Sequence, residues 1–304
     1  MDAWIPITLL AAVAQTARFG LQKQLKSTQL STGGATFARF IYSSPLVVLG
    51  VLMYASITAQ TLPAIPPVFW AYALVGGAAQ ILATMCVVAL FAHRNFAVGI
   101  TFKKTEVLMA VFVGLLILGE GVTWLAFGAI LIGLAGVVLL SDPPGASQDA
   151  WHKRILNRAA GLGLASGLLF ACSGVGYRGA SLSLDTGDVF LRATLTLACV
   201  TTAQTIAMAI WLRLFDRGEI SRVLSTWRVS SLVGITSMIG STCWFVAFTL
   251  QTVAYVKALG QIELLFSLAL TMFFFNEKVS RLEAAAYWSC RCWCWSWSLR
   301  VQAG

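Results

Sequence analysis

Charged side chains are scarce in this sequence. They make up 11% of its 304 residues, whereas a soluble domain carries about 25%. So few charges cannot cover the surface of a soluble protein of this length, which excludes a soluble globular chain. The apolar residues, 58% of the total, are concentrated in long runs. Crossing a bilayer takes about 20 apolar residues per helix, so these runs predict membrane spans.

Groups that carry catalysis or bind nucleotides are equally few. Both histidines, His93 and His152, lie in predicted loops, and all six aspartates lie in or beside loops. No Ser-His-Asp arrangement falls at one membrane depth, and the GxxxxGK[ST] phosphate-binding loop is absent. We therefore expect a protein that is not an enzyme, that holds no metal or other cofactor and that does not itself hydrolyse ATP.

The net charge of +9 does not indicate nucleic-acid binding, because the basic residues lie in short loops rather than along one polar face. Such residues set the topology of a membrane protein and contact anionic lipid head groups. Basic residues follow the odd-numbered apolar runs, whereas the loop at 59–67 and the turn near Gly121 carry none. The positive-inside rule therefore predicts that both termini lie outside.

Ten apolar runs follow one another along the chain. They cover 4–22, 36–58, 68–91, 96–118 and 122–141 in the first half and 160–182, 189–214, 229–250, 253–275 and 282–300 in the second. The runs are continuous, which excludes the alternating strands of a membrane β-barrel. Their backbone groups must be satisfied within helices. The sequence thus predicts an all-α integral membrane protein with ten transmembrane helices.

The two halves are related by a shift of 157 residues, which superposes Glu106 on Glu263 and Glu120 on Glu277. The same shift superposes further identical residues: Gly77 and Gly234, Cys86 and Cys243, Phe91 and Phe248. Five spans per copy is an odd number, so the second copy must enter the membrane in the opposite direction. We predict two inverted five-helix repeats, 1–141 and 159–304, joined by a linker loop at 142–158.

Glu106 and Glu263 are ionisable groups inside predicted spans, where charge is costly and marks a functional site by default. At 1.5 Å per residue, Glu106 lies about 15 Å into its helix, near the bilayer midplane. Lys103 is one turn earlier on the same face, and Lys104 is adjacent. Two interpretations stay open. The residues form a substrate or proton site, or each Glu pairs with a neighbouring cation or hydroxyl and joins helices.

Further candidates accompany this pair. In the second half, Lys257 and Gln261 share a helix face four residues apart. Other candidates for substrate binding or proton coupling are Arg39 and its repeat partner Arg192, together with Trp244 and Tyr255, which lie deep in their spans. Snorkelling to head groups is the alternative for the arginines, and core packing for the aromatics. Glu120 and Glu277 sit at helix exits, where we expect a structural contact.

The stretches 96–140 and 252–283 each combine a polar-studded span, a Glu near its middle and a Gly-Glu or Asn-Glu pair that opens the next helix. This pattern resembles the drug/metabolite transporter superfamily, in particular its ten-helix EamA-type members. The resemblance implies secondary transport of a small metabolite by alternating access. It further implies export, driven by a proton or substrate gradient, across the bacterial cytoplasmic membrane. EamA-type members usually keep both termini in the cytoplasm. The charge bias predicts the opposite orientation, and we favour the charge bias.

Two other functions compete with transport: a non-transporting membrane scaffold and a lipid-handling membrane protein. The expected partners are the lipid bilayer, a small-molecule substrate and a coupling proton; no nucleic acid is expected. Neither the substrate nor the oligomeric state follows from the sequence.

The last predicted span departs from the pattern. Four of the 11 Trp and three of the seven Cys fall within residues 288–297. Cys290, Cys292 and Cys294 alternate, which is not the pair spacing of a zinc site. A shifted reading frame from about residue 286 is the interpretation we favour. An unusual interfacial helix is the alternative.

Overall fold

Helices are the only regular elements in the part of the chain that the structure describes. This computed structural model describes residues 3–28, 30–90, 103–140, 158–263 and 266. The helices are α1 (Trp4–Thr28), α2 (Thr32–Ile57), α3 (Pro67–Leu90), α4 (Glu106–Leu118), α5 (Trp124–Leu140), α6 (Arg158–Leu182), α7 (Val189–Phe215), α8 (Glu219–Ser225), α9 (Trp227–Leu250) and α10 (Val253–Gly260). The predicted linker, Glu277 and the atypical last span lie outside the described residues, apart from Arg158 at the linker's end.

Six of these helices are long and apolar enough to cross a membrane: α1, α2, α3, α6, α7 and α9. Their apolar parts have 23 to 27 residues, or about 35 to 40 Å at 1.5 Å per residue, against a hydrocarbon thickness of about 30 Å. Large apolar side chains such as Met53, Ile57 and Leu116 are exposed on the outside, where a bilayer would cover them. The prediction of an all-α, multi-pass membrane protein is confirmed in this form; ten spans and an inverted repeat stay predictions.

Helices of the first half pack mainly on helices of the second half. The most extensive contacts join α3 to α6, α1 to α9 and α2 to α7. Gly176 lies at the α3–α6 crossing, where a Cβ would approach the carbonyl oxygen of Tyr72 to 2.9 Å and the Cα of Gly76 to 3.0 Å. A small residue is needed there because two backbones meet, as is typical of membrane helix pairs.

The apolar clusters show that α1 and α6 run in opposite directions. Trp4, at the start of α1, belongs to the same buried cluster as Phe248 near the end of α9. Tyr177, near the end of α6, stacks on Phe245 of α9 with ring centroids 4.4 Å apart. The start of α1 and the end of α6 therefore lie at one end of the bundle, which we call the Trp4 end. The opposite end, where α9 begins, is the Trp227 end.

Asp188 ties α2 to α7 at the Trp4 end. Its carboxylate accepts hydrogen bonds from the Tyr54 hydroxyl at 2.8 Å, from Gln60 Nε2 at 2.9 Å and from the Leu191 backbone N–H at 3.0 Å. Burial raises the pKa of Asp188, but these hydrogen bonds outweigh burial and lower that pKa overall. The charged form of Asp188 therefore caps α7 and holds the end of α2.

The short helix α8 was not predicted, because residues 213–228 are rich in polar side chains. Its Val223 joins an apolar cluster under α2, while its Glu219 is fully buried at the N-terminus of α2. Glu219 accepts a hydrogen bond from the Ser31 backbone N–H and pairs with Arg222 at 3.2 Å. A carboxylate is favourable there because the N-terminus of a helix carries partial positive charge.

Candidate functional site

Two helix irregularities lie beside the two repeated glutamates. Lys103 is helical, Lys104 and Thr105 form a turn, and α4 begins at Glu106. In the second half, α10 ends at Gly260, and Glu263 is helical again. Between them, the N–H groups of Gln261 and Ile262 donate to carbonyls three residues back, at 3.2 and 3.1 Å, in the manner of a 3₁₀ turn. The sequence predicted continuous helices at both places.

Close packing of α6 accompanies the first irregularity. A Cβ on Gly167 would lie 3.0 Å from the carbonyl oxygen of Lys103, 3.1 Å from Thr105 Oγ1 and 3.3 Å from the Glu106 nitrogen. At Gly167, the backbone of α6 thus approaches the turn more closely than a residue with a Cβ would allow without a shift. The turn also places Glu106 in the first turn of α4, where a carboxylate is favoured by the helix dipole.

The glutamate of each half contacts lysines of the other half. Glu263 forms an ion pair with Lys104 and lies 3.3 Å from Lys103 Nζ. Glu106 lies 3.8 Å from Lys257 Nζ and 3.7 Å from Lys103 Nζ on its own segment. Lys103 therefore lies between the two carboxylates, and the ion pairs join segments that are about 160 residues apart in sequence.

Among the described residues, seven charged side chains meet in the interior of the bundle, and each residue is less than one-tenth exposed. This central cluster consists of Arg18, Arg39, Lys103, Lys104, Glu106, Lys257 and Glu263. Five members are cations and two are carboxylates, so the cluster carries a formal excess of positive charge. Burying charge is costly unless it is paired. The described residues therefore leave part of the positive charge without a carboxylate.

Gln15 connects the cluster to an aromatic side chain. Trp244 Nε1 donates to Gln15 Oε1 at 3.1 Å, and Gln15 Nε2 donates to the Glu263 carboxylate. The adjacent Thr16 hydroxyl lies 3.5 Å from the Glu263 carbonyl oxygen. Sequence reasoning selected Trp244 but missed Gln15, whose signal was an uncharged polar side chain inside an apolar run.

Arg39 is held by hydroxyl groups rather than by carboxylates. Its Nε donates to Ser237 Oγ at 2.9 Å, Nη1 to Thr84 Oγ1 at 3.2 Å and Nη2 to Ser241 Oγ at 3.2 Å. These contacts fix the guanidinium plane, and no carboxylate of the described residues forms an ion pair with it. The three hydroxyl partners were also missed, because Ser and Thr are common in membrane helices and carry no distinct signal.

A narrow cavity opens beside the cluster. Its charged lining residues are Arg18, Arg39 and Lys257, and its aromatic wall includes Trp244 and Phe248. Its volume of about 20 Å³ holds about one water molecule. The described conformation is therefore closed around this space.

Gln80 and Tyr177 line another wall of the cavity and belong to a network of uncharged side chains. Tyr177 donates its hydroxyl to Gln80 Oε1 at 2.8 Å, and Gln204 Nε2 donates to the same oxygen at 3.0 Å. Gln204 also bonds the Gly77 carbonyl at 2.9 Å. These residues come from α3, α6 and α7, so both halves contribute to this wall.

The remaining predicted site residues lie apart from the cavity. Gln261 is buried at the irregularity, and its Oε1 has no hydrogen-bond partner in the described part of the chain. Arg192 is half-buried in α7 and does not line the cavity, and its Nε has no hydrogen-bond partner among the described residues. Tyr255 lies nearer the Trp4 end, where its hydroxyl accepts from the Thr123 N–H at 3.4 Å.

Glu120 joins three segments at the Trp4 end. Both of its carboxylate oxygens lie 2.8 Å from Arg178 Nε. Arg178 Nη1 also donates to the carbonyls of Phe248 at 2.5 Å and Gln251 at 2.9 Å, at the end of α9. The ion pair thus links the exit of α4 to α6 and satisfies carbonyl groups that the end of α9 leaves without partners.

Metal ligands do not converge in the described ranges: no three His, Cys, Asp or Glu side chains come together there.

Comparison with known proteins finds no matching protein family and no matching curated protein. Among solved structures, one that is described only as "Crystal structure of protein" is similar, with a TM-score of 0.73 and 15% sequence identity. The match covers 100% of this chain and 99% of that chain. At this identity the likeness shows a shared fold alone.

Proposed function

We propose that this chain is a secondary transporter that moves a small metabolite across the membrane by alternating access. The observation that carries the proposal is the set of ion pairs between the halves, in which Glu263 meets Lys103 and Lys104 while Glu106 meets Lys257. A rocking motion of one half against the other would change these distances. In this proposal, substrate binding at the central cluster favours one arrangement over another.

Irregular backbone beside the cluster supports the same function. Secondary transporters place substrate and coupling-ion sites near the bilayer midplane, at discontinuous helices between repeats. The irregularities before Glu106 and before Glu263 fit that arrangement, and the opposite directions of α1 and α6 fit inverted repeats. Export, a coupling proton and the bacterial cytoplasmic membrane are further parts of the proposal, and they rest on the resemblance to EamA-type transporters.

A scaffold or a lipid-handling protein is the competing function. Neither would need several buried cations inside the bundle, since charge there is costly and usually marks an ion or substrate path. A scaffold would also gain nothing from the cavity that Arg18, Arg39 and Lys257 line.

Solute flux in proteoliposomes tests the proposal. The purified full chain is reconstituted, and uptake of labelled amino acids, nucleobases, sugars and organic acids is measured with and without an imposed proton gradient. We expect at least one solute to move faster than in protein-free liposomes and to show counterflow against unlabelled solute. A correctly folded, reconstituted protein that moves no solute in either direction would support the scaffold.

A further inference from the structure

We infer that the site takes a small organic anion that carries an aromatic group, such as an aromatic carboxylate or sulfonate. Transport of this anion rests on the proposed function, whereas its binding does not. The inference is based on the charge, hydrogen-bonding capacity and aromatic walls of the cavity.

The charge of the cavity lining has one sign. Arg18, Arg39 and Lys257 line it, and no carboxylate does so in the described ranges. Glu106 and Glu263 lie behind this lining, where they contact lysines. Two carboxylates cannot neutralise the five cations of the central cluster. An anion in the cavity would reduce this excess and give the lining cations a partner, which buried charges require.

Arg39 is prepared to receive such a group. Its three hydroxyl partners use three of the five N–H donors of a guanidinium. The other two donors, one on each Nη, have no protein partner among the described residues. A guanidinium whose plane is fixed binds the paired oxygens of a carboxylate, phosphate or sulfonate in a bidentate manner. Lys257 supplies a second positive charge on the same lining.

Aromatic side chains form a further part of the wall. Lys257 Nζ lies 4.9 Å from the ring centre of Trp244 and 5.6 Å from the centres of Phe170 and Phe248. Trp244 and Phe248 stack with centroids 5.7 Å apart, as do Tyr177 and Phe245 at 4.4 Å. Flat aromatic faces favour a flat apolar group in the ligand. A purely inorganic anion would leave this surface unused.

The size of the cavity sets a condition on binding. Ligand pockets for drug-sized molecules enclose roughly 300 to 1,000 Å³, far more than the 20 Å³ of the closed cavity. A phenyl-sized anion must therefore separate the aromatic wall from the arginines as it enters. Binding of such an anion is thus coupled to a displacement of the lining elements.

A set of probes that share a phenyl group separates charge from shape. Near neutral pH, benzenesulfonate is an anion, phenylalanine is a zwitterion and phenyltrimethylammonium is a cation. Methanesulfonate supplies the anionic group without the ring. Thermal unfolding of the detergent-purified full chain is measured with each probe at equal ionic strength. We expect benzenesulfonate to raise the unfolding temperature by at least about 2 °C, saturably, and the other three to raise it less.

Matched variants locate the effect. Arg39→Gln and Lys257→Gln should each weaken benzenesulfonate binding at least about tenfold. Arg39→Lys should weaken it less than Arg39→Gln, because it keeps the charge. Arg228→Gln should leave it unchanged. Arg228 is exposed and lies outside the cavity, so this control removes the same charge elsewhere. If Arg39→Gln does not fold, Lys257→Gln decides.

The outcomes separate this inference from the proposed function. If phenylalanine or phenyltrimethylammonium raised the unfolding temperature as much as benzenesulfonate does, the inference of an anionic ligand would be wrong. Unchanged binding of benzenesulfonate to Lys257→Gln would also contradict it. Benzenesulfonate binding without flux of any solute would support the anion site and contradict the transport function. Flux of a zwitterion or cation without benzenesulfonate binding would support the transport function and contradict the anion site.

Discussion

Glu106 and Glu263 are held very differently, although a shift of 157 residues superposes them in the sequence. Glu263 accepts hydrogen bonds from Lys103, Lys104 and Gln15. Glu106 has two ion pairs at 3.7 and 3.8 Å, and its Oε2 has no hydrogen-bond partner in the part of the chain that the structure describes. A buried carboxylate that is poorly satisfied is a candidate for function rather than for stability. The two residues should therefore respond differently to the same substitution.

Glu263→Gln should destabilise the fold by about 3 to 5 kcal/mol, because it leaves two buried ammonium groups without their closest carboxylate. Removing one of those cations as well, in Lys104→Gln/Glu263→Gln, should recover much of the loss. Thermal unfolding of both variants in detergent measures the effect, with Glu106→Gln expected to lose less. Wild-type stability in Glu263→Gln, or additive losses in the double variant, would contradict this pairing.

We expect the ion pair of Glu120 and Arg178 to contribute more to the stability of the fold than to transport. Their side chains are 22% and 12% exposed, so the charge-assisted hydrogen bonds between them are partly shielded from water. We expect Glu120→Gln to cost about 1 to 2 kcal/mol while leaving flux per folded molecule within about twofold of the wild type. Arg178→Gln should cost more, because it also removes the donors to the end of α9. If Glu120→Gln keeps full stability and loses flux, Glu120 belongs to the transport path instead.

At the scale of elements, the contact between α6 and the turn before α4 is the most sensitive. Gly167→Val would push branched carbons into the backbone at Lys103 and Glu106, so we expect at least about a tenfold loss of flux. Gly161→Ala is the control, since a Cβ at Gly161, on the same helix, would meet no neighbouring element within 4 Å among the described residues. This change should leave flux unchanged and raise helix stability by up to about 1 kcal/mol. Equal flux in both variants would show that the turn tolerates displacement.

The sequence located the described spans well, because continuous apolar runs permit only helices in a bilayer. It did not locate the irregularities at 104–105 and 261–262. Thr105 and Gln261 keep near-helical backbone angles, and no Pro marks either break. Gly260 directly precedes the second break, but a single Gly is common in membrane helices and was not a distinct signal. Close packing of Gly167 accompanies the first of them, and packing between distant segments is not encoded in local periodicity. The short α8 was missed for the related reason that its anchor, Glu219, binds the distant start of α2.

The site was predictable in its charges but not in its pairing. Repetition singled out Glu106 and Glu263, and the spacing singled out Lys103 and Lys104. The sequence allowed each Glu to pair within its own segment. Glu106 does so with Lys103, but the structure also brings Lys104 to Glu263 and Lys257 to Glu106. These contacts depend on the packing of one half against the other, for which a single sequence gives no register.

At the scale of the whole molecule, the Trp227 end carries more basic residues than the Trp4 end within the part of the chain that the structure describes. Lys23, Arg213, Arg217 and Arg222 all lie toward the Trp227 end, which the positive-inside rule places in the cytoplasm. We therefore expect impermeant maleimide to label Thr61→Cys in intact cells and to label Ser225→Cys only after the membrane is opened. Both positions are exposed and lie at opposite ends. Labelling of Ser225→Cys in intact cells would reverse the orientation.

Flux through Glu106→Gln tests most directly the claim that the central cluster is a transport site. The substitution keeps the size of the side chain and replaces the carboxylate with an uncharged amide. Initial rates are measured in proteoliposomes at matched amounts of folded protein for wild type, Glu106→Gln and the exposed control Arg228→Gln. The account predicts wild-type rates for Arg228→Gln and at least about a tenfold loss for Glu106→Gln, equivalent to about 1.4 kcal/mol. Wild-type flux with wild-type pH dependence in Glu106→Gln would contradict it, and would leave Glu106 as a contact between helices.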